Sequence, residues 1–247
     1  MKSNYRYIVK AFMAMAVIAG TTSCDDFLDR EPMSSISPET YYSTAAQLEA
    51  NLNDEYPNVL PSFGQWTYGI FGEDKGTDNQ IEVNANDRYT QDRWKVPHSE
   101  SDNWKFERIY RINFFLSEAL PKFGEDMSGS QNTISGSVAT IKHYIGEMYF
   151  LRAYEYFKKL QLFGDFPIIN QPLADEMEAL REASKRFPRN EVARFIISDL
   201  DKAYAYMSDV DMATTRINKD AAMLVKSRVA LFEATWLQNF KGTAFVP

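Results

Sequence analysis

Residues 146–167 read GEMYFLRAYEYFKKLQLFGDFP. Tyr149, Ala153, Tyr156 and Leu160 recur at helical spacing, and so do Phe150, Tyr154 and Phe157. Two apolar stripes on one helix leave little of it for water, apart from Glu147, Glu155, Lys158 and Lys159. A helix apolar on two sides needs neighbours on two sides. Gly146 and Ala153 lie on roughly the same face, where they let another helix approach closely. Gly164 is a natural terminator because it takes positive φ without steric cost, and Pro167 cannot continue the helix. The rest of the chain is expected to lie against this element.

Working outward, the helix is expected to begin near Ser137, after a polar Gly/Ser/Asn connection over 125–137. Before that, 99–120 reads as a helix capped by Ser99 to Asp102, with Trp104, Ile109, Ile112, Phe115, Leu116 and Ala119 as its buried stripe. Pro121 and Gly124 are expected to end it. Thr44 reads as the N-cap of an amphipathic helix over 45–60, with Leu48, Leu52, Tyr56 and Val59 on one face and Pro61 as its stop. A shorter helix before it would start at Ser37-Pro38-Glu39.

On the C-terminal side, 165–188 reads as an irregular crossing with a short helix at 175–183. A further helix starts near Asn190 and carries Val192, Ile196, Leu200, Ala203 and Met207. After a turn at 208–215, Asn218 caps the last helix, whose stripe is Ala222, Val225, Val229, Phe232 and Trp236. No stretch reads as a strand. The expected fold is all-α, with stacked antiparallel hairpins like those of tetratricopeptide repeats (TPR-like) and small residues Gly146, Ala153, Ala222 and Ala230 at the contacts. The strict repeat consensus is absent.

Residues 62–97 show neither helical nor strand period. Gly, Asn and Asp are dense over 72–87, just after Trp66, Tyr68 and Phe71. A long irregular loop in a compact domain is usually either functional or disordered. Trp66, Asp78, Asn79, Arg93 and Trp94 are therefore the candidate ligand residues. Aromatic faces suit the apolar faces of sugars, and amide, carboxylate and guanidinium groups suit their hydroxyls. Each of these side chains could equally pack the loop onto the helices.

The N-terminus is an export signal. Lys2, Arg6 and Lys10 precede the apolar run AFMAMAVIAG at 11–20, then Thr21-Thr22-Ser23 and Cys24. The run is about half the length a spanning helix needs. Cys24 reads as the lipid-modified first residue of a mature lipoprotein, although Thr21 stands where an aliphatic residue is usual. Acyl chains on a cysteine supply membrane affinity through their buried methylenes. Residues 1–23 are thus signal, 24–36 tether and 37–247 domain.

Composition excludes more than it assigns. Of 247 residues, 45% are hydrophobic, 25% charged and 14% aromatic, and the formal charge is −7. Without a concentrated run of Lys or Arg, nucleic acid is not an expected partner. One Cys allows no internal disulfide or multi-Cys zinc site. His98 and His143 are far apart and read as surface or core-edge imidazoles, so no metal and no cofactor are expected. There is no Gly-x-Ser-x-Gly elbow, metal-ligand helix pair or phosphate loop, and no enzyme is expected. Glu147 and Arg152, with Asp165 after the helix stop, read as ion pairs or helix-end caps rather than a catalytic acid and its partner. Trp104 and Trp236 read as core.

Five pieces of the sequence resemble the SusD/RagB family of lipoproteins: CDDFLDREP at 24–32; SPETYYSTAAQLEANLNDEY at 37–56; WKFERIYRINFFL at 104–116, which resembles its W-x-x-x-Y-x-x-I-x-x-N helix in residue types, with Tyr110 and Asn113, though not in spacing; GEMYFLRAYEYFKKLQLFGDFP at 146–167; and RNEVARFIISDLDKAYAYM with RINKDAAMLVKSRVALFEATW. The resemblance runs the length of the chain, in the order of that family's N-terminal half. It implies an outer-membrane surface lipoprotein that binds a glycan or oligosaccharide and acts as the lid of a SusC-like TonB-dependent transporter, with the helical repeats as scaffold and transporter contact. It also implies a C-terminal half, supplying part of the ligand site, that this sequence does not contain. The competing reading of the residues is a TPR-like assembly or peptide-binding lipoprotein without sugar affinity.

Overall fold

A computed structural model of the chain describes residues 41–61, 103–208 and 215–246. Within them lie six helices: α1 (Ala45–Val59), α2 (Glu107–Phe123), α3 (Val138–Phe163), α4 (Met177–Ala183), α5 (Arg189–Tyr206) and α6 (Lys219–Phe240). No named strand occurs among the described residues, only isolated bridges such as Thr44 with Ser135 and Phe166 with Phe187.

α3 is the centre. It packs against α1, α2, α5 and α6, and from Ile141 to Leu160 most of its side chains are buried. The partners run in alternating directions, as residue pairs show. Asn103 and Arg108 reach Lys159 and Glu155, and Asn113 reaches Arg152, so α2 lies antiparallel to α3. Arg152 meets Asp199 while Gly146 meets Ala203 and Met207, so α5 is antiparallel to α3. Arg189 meets Glu233 and Asp201 meets Lys226, so α6 is antiparallel to α5. The long helices α2, α3, α5 and α6 thus form the expected antiparallel stack, with α1 laid alongside α3.

Local chemistry sets the ends. The Thr44 hydroxyl accepts from Gln47 N at 3.3 Å and the Gln47 side chain accepts from Thr44 N at 3.0 Å, a complete capping box. Gly164 terminates α3 at φ +68°, with its N–H on Leu160 O at 3.0 Å. Asp165 accepts the Arg189 N–H at 2.9 Å and so caps α5 from across the crossing. Asn218 accepts the Ala221 N–H at 2.9 Å at the start of α6. Gly146 does allow close approach: a Cβ there would stand 3.0 Å from Met207 N and 3.2 Å from Ala203 O.

Several expectations are corrected. α2 begins at Glu107, not near Ser99; 103–106 is non-helical, and Trp104 is not on the helix stripe. Its ring packs edge-on against Phe106, Phe163 and Phe166 at 4.8–5.7 Å, and four aromatic rings in one cluster outweigh the extension of a helix. Pro121 lies inside α2, and the helix runs on to the fully buried Phe123. Pro121 removes one N–H and crowds the Ser117 carbonyl, yet the helix continues, with Phe123 buried and the Gly124 N–H on Leu120 O closing its last turn. Ala230 is exposed. Trp236 is only partly buried. His143 is fully buried, not a surface or edge imidazole. Glu147, Glu155 and Lys159 do not face water; they are 0%, 3% and 6% exposed because each has buried partners of opposite charge or polarity.

Candidate functional site

Cys24, Trp66, Asp78, Asn79, Arg93 and Trp94 lie outside the described residues, as do His98 and the helix start at Ser37. The base from which 62–102 leaves the helical scaffold is described. α3 places two consecutive lysines there. Lys158 Nζ donates to Val59 O at 2.9 Å, on the last turn of α1. Lys159 Nζ donates to Asn103 O at 2.7 Å, just before α2. Both lysines pair with Glu155, at 2.6 and 3.3 Å. One face of α3 therefore fixes both flanks of the segment that carries the candidate ligand residues.

Beside this clamp is a groove of about 490 Å³. The α3 face formed by Tyr154, Phe157, Lys158 and Gln161 contributes to it, together with the end of α1 from Asn58 to Pro61, Arg108 of α2 and Arg228 of α6. Its size suits a small ligand or a few sugar units. Phe157 is buried and rests edge-on against Phe232 at 5.6 Å. Tyr154 is partly buried and stacked with Phe150. The lining mixes aromatic carbon with amides and guanidiniums.

Three further polar clusters tie the helices together, two on α3 and one between α5 and α6. In the first, Glu147 accepts from Tyr56 Oη at 2.8 Å, from Arg216 Nε and Nη2 at 2.7 and 2.5 Å, and from His143 Nε2 at 2.8 Å. His143 Nδ1 accepts the Ser208 N–H at 2.9 Å, which leaves the proton on Nε2, facing Glu147. Burial, and then the Glu147 charge, hold the Tyr56 phenol protonated far above its ordinary range. In the second, Arg152 forks onto both Asp199 oxygens at 2.6 and 2.8 Å and donates to Asn113 Oδ1 at 2.9 Å. Asn113 Nδ2 in turn donates to Ile169 O at 2.8 Å. In the third, Arg189 pairs with Glu233 at 2.9 Å and lies over the Trp236 ring, 3.9 Å from its centroid.

These clusters hold the scaffold together. Glu147 is saturated with donors, and Arg152 has its acceptors in place. They are the ion pairs and caps expected for Glu147, Arg152 and Asp165. Sequence reasoning gave no role to Arg216, Asp199 or Glu233, and placed Tyr56 on an apolar helix face without its bond to Glu147. Asn113 carried a signal as the Asn of the segment that resembles the family helix, and its two bonds explain why an amide suits that place. Near α1, burial raises the Glu55 carboxyl above its ordinary range despite Arg111 at 2.5 Å. Among the described residues, no group of three or more His, Cys, Asp or Glu is placed to hold a metal ion. No described helix is long and apolar enough to cross a membrane.

Comparison with known proteins agrees with this architecture. The chain is 25% identical to SusD-like protein P25 of Formosa agariphila over 87% of its own length and 41% of that protein's. It is also 25% identical to SusD-like protein P2 of the same organism, over 98% of this chain and 46% of the relative. It spans less than half the length of these curated relatives. Its fold is similar to that of a SusD-like protein from Bacteroides fragilis, with a TM-score of 0.52 at 19% identity, over 84% of this chain and 39% of that one. Residues 26–231 match the family model SusD-like_3, described as starch-binding associating with outer membrane, and the chain belongs to that family.

Proposed function

We propose that this chain is the helical part of a lipid-anchored outer-membrane surface protein. It binds a glycan or oligosaccharide and acts as the lid of a SusC-like TonB-dependent transporter. The observation that carries the reading is the clamp at Glu155, Lys158 and Lys159, which fixes residues 59 and 103 to one face of the central helix. A binding segment held at both flanks loses less entropy on binding than one held at neither. The family match over 26–231 supports the glycan as ligand class. Trp66, Asp78, Asn79, Arg93 and Trp94, in the segment between the flanks, are the proposed ligand contacts. Cys24 is the proposed anchor. The buried polar clusters between the helices are structural, and no catalytic role is proposed.

Affinity electrophoresis through gels containing soluble neutral and acidic polysaccharides tests the reading. Retardation by at least one polysaccharide is expected, and it is lost or reduced about tenfold in Trp66→Ala combined with Trp94→Ala. A chain that no polysaccharide retards would overturn the glycan reading in favour of a peptide-binding or assembly role. Cys24→Ala is expected to move the protein out of the membrane fraction.

A further inference from the structure

The groove beside the clamp has a charge that the chain as a whole does not. The sequence has 27 Lys and Arg against 34 Asp and Glu. Among the described residues that line the groove, however, Arg108, Lys158 and Arg228 are cationic and none is acidic. The carboxylate beside Arg108 and Lys158 is Glu155, and it is already committed. It is 3% exposed and bonded to Lys158 and Lys159, while Arg108 Nη1 stands 3.9 Å from it. The Arg108 side chain remains 48% exposed, and Arg228 is exposed. Two guanidiniums from different helices, α2 and α6, therefore border a concavity whose base is Tyr154, Phe157 and Gln161.

We propose that this groove binds an acidic saccharide, one bearing carboxylate or sulfate groups, with Arg108 and Arg228 on the anionic groups. The inference rests on the glycan reading above and deepens it by naming a charge class and a second contact surface. Each part of the lining suits one part of such a ligand. A guanidinium presents a planar fork of N–H donors that matches the oxygens of a carboxylate or sulfate. Tyr154 offers aromatic carbon to the C–H face of a sugar ring. The amides of Asn58 and Gln161 can both donate to and accept from hydroxyls. A neutral glycan would bring no anionic group to the two guanidiniums. A plain polyanion would leave the aromatic and amide surface unused. Lys158 is spent on Val59 and Glu155 and is a positioning residue for the groove wall. The net charge of the chain repels an anion at long range, so attraction must be local to the groove.

The test is calorimetric titration of the full chain with three probes: an oligogalacturonate, a malto-oligosaccharide of similar length, and a poly-glutamate of similar charge. The variants are Arg108→Gln, Arg228→Gln and the two together. Both side chains are exposed, so the variants are expected to keep the melting temperature of the parent. The oligogalacturonate is expected to bind, about tenfold more weakly in each single variant and beyond detection in the pair. Raising the salt concentration should weaken it further in the parent than in the variants. Binding of poly-glutamate as tight as that of the oligogalacturonate would overturn the saccharide assignment. Oligogalacturonate binding that the double variant leaves intact would overturn the groove while leaving the glycan reading standing. Binding of the malto-oligosaccharide alone would do the same. A protein that binds neither saccharide overturns this proposal and counts against the glycan reading with it.

Discussion

Arg152 is 3% exposed, in the middle of the most buried helix, and its positive charge is answered within the core. Both Asp199 oxygens, Asn113 Oδ1 and Asn170 O accept from it, and the Tyr149 and Phe195 rings lie 5.2 Å from its guanidinium carbon. Removing one partner of such a pair leaves the other charge buried and unmatched. Arg152→Ala is therefore expected to cost about 3–5 kcal/mol. Arg152→Met together with Asp199→Leu is expected to cost less than the single change, because no charge is then stranded. Urea unfolding of both variants checks this, and a single-variant loss under about 1 kcal/mol would show that the pair is not insulated from water. The residue types alone indicated that Arg152 and Glu147 would be paired. They did not indicate with what, since Asp199 and Arg216 stand 47 and 69 positions away in sequence. Nor could periodicity tell that Glu155 and Lys159 are buried. A charged residue between two apolar stripes looks solvated until its partners are known.

At the scale of elements, most helix ends were legible because they depend on local chemistry. The Thr44 cap, the Gly164 stop and the Asn218 cap all involve residues within a few positions of one another. The start of α2 was not, because it is set by Trp104 joining Phe163 and Phe166 from another part of the chain. Gly146 is a case where a sequence cue and a tertiary contact agree. Replacing it with Ala would gain roughly 0.8–1 kcal/mol of intrinsic helix propensity. It would also press a methyl group to 3.0 Å from Met207 N, a backbone atom of the α5 C-cap that a rotamer change cannot move. Overpacking of this kind costs about 1–3 kcal/mol, so Gly146→Ala is expected to be net destabilising. Met207→Ala should not rescue it. A double-mutant cycle between the two is expected to show coupling within about 0.5 kcal/mol, and a larger favourable coupling would place the clash on the Met207 side chain instead.

Among the described residues the long helices form a stack in which each is covered according to its place. α3 and α6 have similar sequences in one respect: both are apolar well beyond a single stripe. For α3 this was legible as a demand for neighbours on two sides, and α1, α2, α5 and α6 meet it. For α6 the stripe from Ala222 to Trp236 accounts for one side, against α5 and α3, but Leu224 and Leu231 are 72% and 65% exposed and Met223 is 47% exposed. Single-chain periodicity could not tell these cases apart, because the difference lies in position within the stack and not in composition. The sequence marks 62–97 only as a candidate ligand segment, since sugar-binding and loop-packing side chains are of the same types. The exposed leucines make a distinct physical demand. They contribute little packing within this unit, so changing them should leave its stability nearly unaltered, while contiguous apolar surface lowers solubility. Leu224→Lys together with Leu231→Lys is thus expected to shift unfolding free energy by no more than about 0.5 kcal/mol and to raise the ammonium sulfate concentration needed for precipitation. Thermal melts and precipitation curves on the same preparations give both numbers. A loss of several kcal/mol would mean that these two side chains pack against the chain in solution, and that the outer face of α6 belongs to the core of the stack and not to its edge.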